Sequence, residues 1–196
     1  MKFKNLILTN LLKNSNFPYI CVYPTFKHPP IILFGGTNNL FDLIYDDLSI
    51  RPTSWPNKNS YQSDVHGGFA RRTLRFAKEM NDFISENDNF IIGGHSLGGA
   101  CSILLASYLV HKNKNVRSIY TFGAPPLSSK GFQQTYRAQD LWDKTYNFVL
   151  SDDPVVKKIP IYEFVGKRIE VQFTSDTLWE QHDLNSYAAA IYSYEQ

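Results

Sequence analysis

The sequence predicts an α/β fold, a mostly parallel central sheet flanked by helices, in one domain over residues 1–196. Three observations carry this expectation. Short apolar runs of strand length alternate with longer segments of helical periodicity, the pattern of strands joined by crossover helices. One strand-to-helix junction is a glycine-framed turn, Gly94-His95-Ser96-Leu97-Gly98, set between the apolar run Phe90-Ile91-Ile92 and a helical segment. Finally, 196 residues at 43% hydrophobic content supply one sizeable core, whereas two domains would each be small and marginal.

Taken in order, Tyr19–Tyr23 and Ile31–Phe34 read as the first strands, parted by a turn-rich stretch that ends in Pro29-Pro30. Leu40, Phe41, Ile44, Tyr45 and Leu48 then form one apolar stripe, with Asp42, Asp46 and Asp47 off it, which predicts an amphipathic helix over about 38–49. Arg51–Val65, with Pro52 and Pro56 among Ser, Asn and Asp, reads as a surface loop. From Phe69 to about Ser85, Ala70, Leu74, Ala77, Met80 and Ile84 recur at helical spacing. Arg71, Arg72, Arg75 and Lys78 fall mainly on the other faces, as a solvated surface. Further strands are expected at Phe90–Ile92, Val116–Phe122, Tyr146–Leu150 and Ile169–Phe173, and further helices at Leu97–His111 and Glu180–Tyr194.

With 20 Lys and Arg against 18 Asp and Glu, the net charge is +2, so no excess of one sign points to nucleic acid or another charged polymer as a partner. Cys21 and Cys101 allow one disulfide at most, and Cys101, inside an apolar helical run, reads as a buried thiol. No window approaches the roughly 18 apolar residues that a membrane span needs. Lys2 and Lys4 precede a short apolar stretch that Thr9 and Asn10 interrupt before a signal-peptide core is complete, so a cytoplasmic location is the default expectation.

The serine turn is the sharpest chemical signal. A serine between strand and helix needs neighbours without Cβ atoms, because strained backbone and close packing leave no room, and Gly94 and Gly98 meet that need. Such a turn lifts Ser96 Oγ over the sheet edge and puts the Leu97 N–H where an oxyanion would form. His95 reads as a packing or hydrogen-bonding residue.

Serine needs an adjacent imidazole to take its proton. Along chains with this turn the order is serine, acid, histidine, and of the five histidines only His182 follows the candidate acids near residue 150. The acid should follow a strand on the same sheet edge, as Asp152-Asp153-Pro154 follows Tyr146–Leu150. Asp153, held extended before proline, is preferred, with Asp152 the alternative.

Ile31–Phe34 runs into Gly35-Gly36-Thr37, where Thr37 would give its N–H and hydroxyl as the second oxyanion donor. Capping of the next helix by Thr37, Asn38 or Asn39 is the ordinary alternative. The 38–49 helix beside this loop would be a lid whose Leu40, Phe41, Ile44 and Tyr45 touch an acyl chain or a lipid surface, or else plain core packing.

Together these blocks resemble the class 3 lipase family. They are Ile32-Leu33-Phe34-Gly35-Gly36-Thr37, His66-Gly67-Gly68-Phe69, Gly94-His95-Ser96-Leu97-Gly98-Gly99-Ala100, Thr121-Phe122-Gly123-Ala124-Pro125, Asp153-Pro154-Val155, and His182 with Tyr187, in the family's order over roughly residues 30 to 190. The resemblance implies a minimal α/β-hydrolase fold, no cofactor and no metal, and hydrolysis of acylglycerols, phospholipids or simpler esters. It also implies Ser96 as nucleophile, Asp153 as acid, His182 as base, Thr37 and Leu97 as oxyanion donors, and a lid in the Leu40–Leu48 helix. The chain departs from the family at Gly35, where an arginine usually precedes the Gly-Thr, and it is shorter than the fungal enzymes. The function expected is that of a serine esterase or lipase with a lipid or small ester substrate and transient contact with a lipid surface. An acyltransferase or phospholipase of the same fold, or a non-enzymatic scaffold that keeps the fold, are the alternatives.

Overall fold

The computed structural model describes residues 8–9, 19–22, 24, 26–36, 50–56, 63–157, 161–174, 177 and 180–194. In chain order its strands are β1 (Leu8–Thr9), β2 (Tyr19–Val22), β3 (Ile31–Phe34), β4 (Pro52–Ser54), β5 (Asp64–His66), β6 (Phe90–His95), β7 (Val116–Phe122), β8 (Thr145–Leu150) and β9 (Lys167–Val171). The helices are α1 (Gly67–Glu79), α2 (Asn81–Glu86), α3 (Leu97–His111), α4 (Lys130–Ala138) and α5 (Leu184–Tyr194).

Among the described residues, seven strands make one sheet in the order β1-β2-β3-β6-β7-β8-β9. β1, β2 and β3 pair antiparallel, and β3, β6, β7, β8 and β9 pair parallel. This is the mixed, mostly parallel α/β-hydrolase sheet. Because β3, β6, β7 and β8 run the same way, the residues that follow them, Gly35, Ser96, Gly123 and Asp153, all emerge at one edge. Carboxyl ends of parallel strands are where open α/β sheets place their sites.

The strand Val116–Phe122 and the helix Leu97–His111 lie where their patterns put them. α3 is buried on nearly every side, which accounts for the absence of any polar face in its sequence. Leu97, Leu104, Leu105 and Leu109 are at most 1% exposed, and full burial of such a side chain stabilises by about 1.5–3 kcal/mol. The main core lies on this side of the sheet, between β3, β6 and β7 and helices α1, α3 and α4. A smaller one joins α5 to β8 and β9 through Leu150, Val171, Tyr187 and Ala190.

Several expectations require correction. The helix expected over Phe69–Ser85 starts at Gly67 and breaks at Met80 into α1 and α2, which lets Phe83 and Ile84 stay against the core. Leu74 is exposed; Thr73 takes the inward position instead, its hydroxyl satisfied by the Phe69 carbonyl at 2.9 Å. Arg51–Val65 is not all loop, since Pro52–Ser54 pairs antiparallel with Asp64–His66. β6 runs three residues beyond Ile92, because Gly93 and Gly94 carry no apolar signal yet keep their ladder bonds to β7. β9 sits two residues earlier than expected, its register set by Tyr146↔Lys167 to Leu150↔Val171 rather than by its own apolar content. α4, which buries only Phe132 and Tyr136, has too thin a stripe to be read in advance.

Candidate active site

Ser96 closes β6 and opens α3. Its N–H donates to the Phe122 carbonyl at 2.8 Å, carrying the β6–β7 ladder one residue past the strand. The backbone then turns to φ 58°, ψ −126°, a conformation that costs a non-glycine residue about 1–3 kcal/mol and persists only where surroundings over-determine it. The glycines provide that. A Cβ on Gly98 would stand 2.5 Å from the Gly35 carbonyl and 2.6 Å from that of Phe34, and one on Gly94 would strike the Gly98 carbonyl. The first turn of α3 therefore packs directly on β3 and β6, and Leu97, buried, begins that turn with an amide that has no acceptor within its own helix.

The acid side is built by the turn after β8. The Asp153 N–H donates to the Leu150 carbonyl at 3.1 Å, and the Val155 N–H donates to Asp153 Oδ1 at 2.8 Å, a local turn that fixes the carboxylate plane. Asp153 is wholly buried, whereas Asp152 is exposed on the same turn.

His182 does not lie in the final helix, which was expected to start at Glu180. Glu180–His182 is a separate 3-10 turn, and Asp183 then caps α5, its carbonyl accepting from Ser186 and Tyr187 and its Oδ1 from the Asn185 N–H. The turn carries the imidazole back to the sheet edge. His182 Nδ1 lies 2.8 Å from Asp153 Oδ2, and His182 Nε2 lies 2.8 Å from Ser96 Oγ. A carboxylate only accepts, so Nδ1 bears the hydrogen and Nε2 accepts from the serine hydroxyl.

Two further side chains complete the cluster. Tyr187, on α5, donates its hydroxyl to Asp153 Oδ2 at 2.6 Å and accepts the Leu150 N–H at 3.2 Å. Burial, and then the neighbouring carboxylate, push its phenol above the ordinary range, so it stays a donor. His95 donates Nε2–H to the His182 carbonyl at 2.8 Å, with its ring 4.8 Å from that of His182. Burial, and secondarily the charge His182 can carry, hold His95 below its ordinary value of 6.5. The sequence marks His95 as a packing or hydrogen-bonding residue without naming its partner, and for Tyr187 helical periodicity says only that it faces inward, not onto what.

Thr37, the proposed lid over 38–49 and its Leu40, Phe41, Ile44 and Tyr45 lie outside the described residues. An apolar hollow of about 340 Å³ between α5 and the sheet is lined by Phe122, Phe148, Leu184, Tyr187 and Ile191 among others; of the cluster, only Tyr187 borders it. Among the described residues no group of three or more His, Cys, Asp or Glu side chains is placed to hold a metal ion. No helix among them is long and apolar enough to cross a membrane.

The fold is similar to that of several solved fungal lipases. A lipase from Rhizopus microsporus var. chinensis is 24% identical with a TM-score of 0.66, covering 88% of this chain and 62% of its own. A lipase from Yarrowia lipolytica is 20% identical at 0.63, covering 82% and 62%. The triacylglyceride lipase of Rhizomucor miehei is 22% identical at 0.61, covering 82% and 63%. The chain thus spans a little over three fifths of these proteins. No curated protein sequence matches it. The sequence profile of the lipase (class 3) family matches residues 31–163, more than half of the chain and the span that holds both Ser96 and Asp153; the protein belongs to the class 3 lipase family.

Proposed function

We propose that the protein hydrolyses carboxylic esters of lipids, acylglycerol-like in kind, through an acyl-enzyme on Ser96. The observation that carries this reading is the unbroken chain Ser96 Oγ, His182 Nε2, His182 Nδ1, Asp153 Oδ2, two bonds of 2.8 Å each. Ser96 Oγ attacks the ester carbonyl as its proton passes to His182 Nε2, and the proton stops at the imidazole, oriented by Asp153. The tetrahedral oxyanion takes the Leu97 N–H, with Thr37 as the second donor, each such donor being worth about 3 kcal/mol in the transition state. The alkoxide leaves with the imidazolium proton. A water then gives one proton to His182 as its oxygen bonds the acyl carbon, and the imidazolium returns that proton to Ser96 Oγ as the acyl–Oγ bond breaks and the fatty acid departs. A triacylglycerol lipase whose catalytic centre is a serine protease triad shares this fold at a TM-score of 0.64 and 22% identity, which supports the lipid substrate.

The test is active-site labelling with a fluorophosphonate, together with hydrolysis of p-nitrophenyl esters from short to long chain, a triacylglycerol emulsion and phospholipid vesicles. The expected result is a single adduct on Ser96, turnover of the long-chain ester and the emulsion, and loss of both in Ser96→Ala at unchanged melting temperature. Hydrolysis that survives in Ser96→Ala, or a serine that takes no label, overturns the reading. Turnover of phospholipid alone would move the substrate class.

A further inference from the structure

His95 touches none of the reacting atoms, yet its ring lies between three parts of the site. Its Nε2–H is bonded to the His182 main-chain carbonyl at 2.8 Å. Its Nδ1 faces the loop after β3, where a Cβ on Gly36 would stand 3.0 Å from Nδ1 and 3.2 Å from Ser96 Cβ. Its own backbone is the last residue of β6, paired with Phe122 and adjacent to the nucleophile.

Among the described residues, the hydrogen bonds that Glu180 and Gln181 donate reach back to the chain just before the turn, and the His182 side chain, not its main chain, meets Asp153 and Ser96. The Glu180 N–H donates to Thr177 Oγ1 at 3.3 Å, and Gln181 Nε2 donates to the Phe173 carbonyl at 3.0 Å. Neither fixes the turn relative to Ser96. The His95 bond does, because it joins the main chain of His182 to the residue next to the serine across 87 positions of sequence. We propose that His95 is a positioning residue, which sets the distance between nucleophile and base by holding the Glu180–His182 turn against the end of β6. A shift of about 1 Å between reacting groups costs on the order of a hundredfold in rate, so one neutral hydrogen bond at this place outweighs its small share of fold stability.

Two variants separate donor from filler: His95→Phe keeps a ring without the N–H, and His95→Gln keeps an N–H that reaches the carbonyl. Because this inference rests on the hydrolase reading, kinetics are paired with a measurement that needs no turnover, the low-field proton signal of His182 Nδ1–H. The expected result is a kcat lowered about 10- to 100-fold in His95→Phe at a KM within about threefold of the parent, and recovery to within about fivefold in His95→Gln. The Nδ1–H signal should persist in the parent and in His95→Gln and broaden away in His95→Phe. Equal kcat in the two variants, a loss confined to KM, or an unchanged signal in His95→Phe overturns the proposal. A parent that turns over no ester while the signals behave as stated would sink the hydrolase reading and leave the positioning role standing.

Discussion

The Asp153 carboxylate receives three donors, His182 Nδ1–H and the Tyr187 hydroxyl on Oδ2 and the Val155 N–H on Oδ1. A buried carboxylate is costly unless so supplied, and the three bonds also fix the plane in which the imidazole must lie. Tyr187→Phe removes one donor and leaves the Leu150 N–H without its acceptor, at a cost of about 1–3 kcal/mol of stability. Urea denaturation should show that loss, and ester kinetics a kcat down by about tenfold; a variant equal to the parent in both would mean that the hydroxyl is idle. At this scale Ser96 and Asp153 were legible, because each sits in a short local signal: glycines that vacate a turn, and a carboxylate before proline at a strand end. Tyr187 and the use of His95 were not, because nothing within a few residues of either names the partner it meets.

The element that matters most to the site is α3, whose first turn is seated on β3 and β6 at glycine contacts. Gly98→Ala brings a Cβ to 2.5 Å from one main-chain carbonyl and 2.6 Å from another, and neither can move without displacing β3 or the loop after it. The expected cost is about 1–3 kcal/mol or more, read as a lower denaturation midpoint, with a matching fall in fluorophosphonate labelling as the Ser96 turn is pushed out of line. Labelling at the parent rate in a destabilised Gly98→Ala would show that the helix and the serine turn are not mechanically joined. α3 was readable because it is buried along most of its length and its composition reports that, and β7 because its β-branched and aromatic content is high even though Arg117 and Tyr120 are exposed. The β4–β5 hairpin, the glycine end of β6 and the register of β9 were not, because those stretches are strands by virtue of a partner's backbone rather than their own side chains.

For the molecule as a whole, the half-buried His95 ties stability to pH. Its folded value is depressed below 6.5, first by burial and then by His182, with the His182 carbonyl, Asp153 and Asp183 opposing. The unfolded chain therefore binds a proton that the folded one resists, so the stability is present above about 6.5 and is lost as pH falls through the folded value. Asp88, held low chiefly by the Asn115 N–H, acts in the same direction in a lower window, beneath its ordinary 3.8. Denaturation midpoints across this range should fall with acidification in the parent and fall less steeply between pH 6.5 and 5 in His95→Gln; parallel curves would remove His95 from the account. What the sequence determined alone was the inventory: the alternation of strands and helices, the strained serine turn and the Asp before proline, each encoded within a few positions of chain, with the candidate base reached by its order after the candidate acids. The tertiary structure decided their meeting. Ser96 and His182 are 86 residues apart and His182 and Asp153 are 29 apart, and what brings them to one edge is the strand order β3-β6-β7-β8, fixed by backbone pairing and burial between distant segments, which no local pattern of side chains specifies.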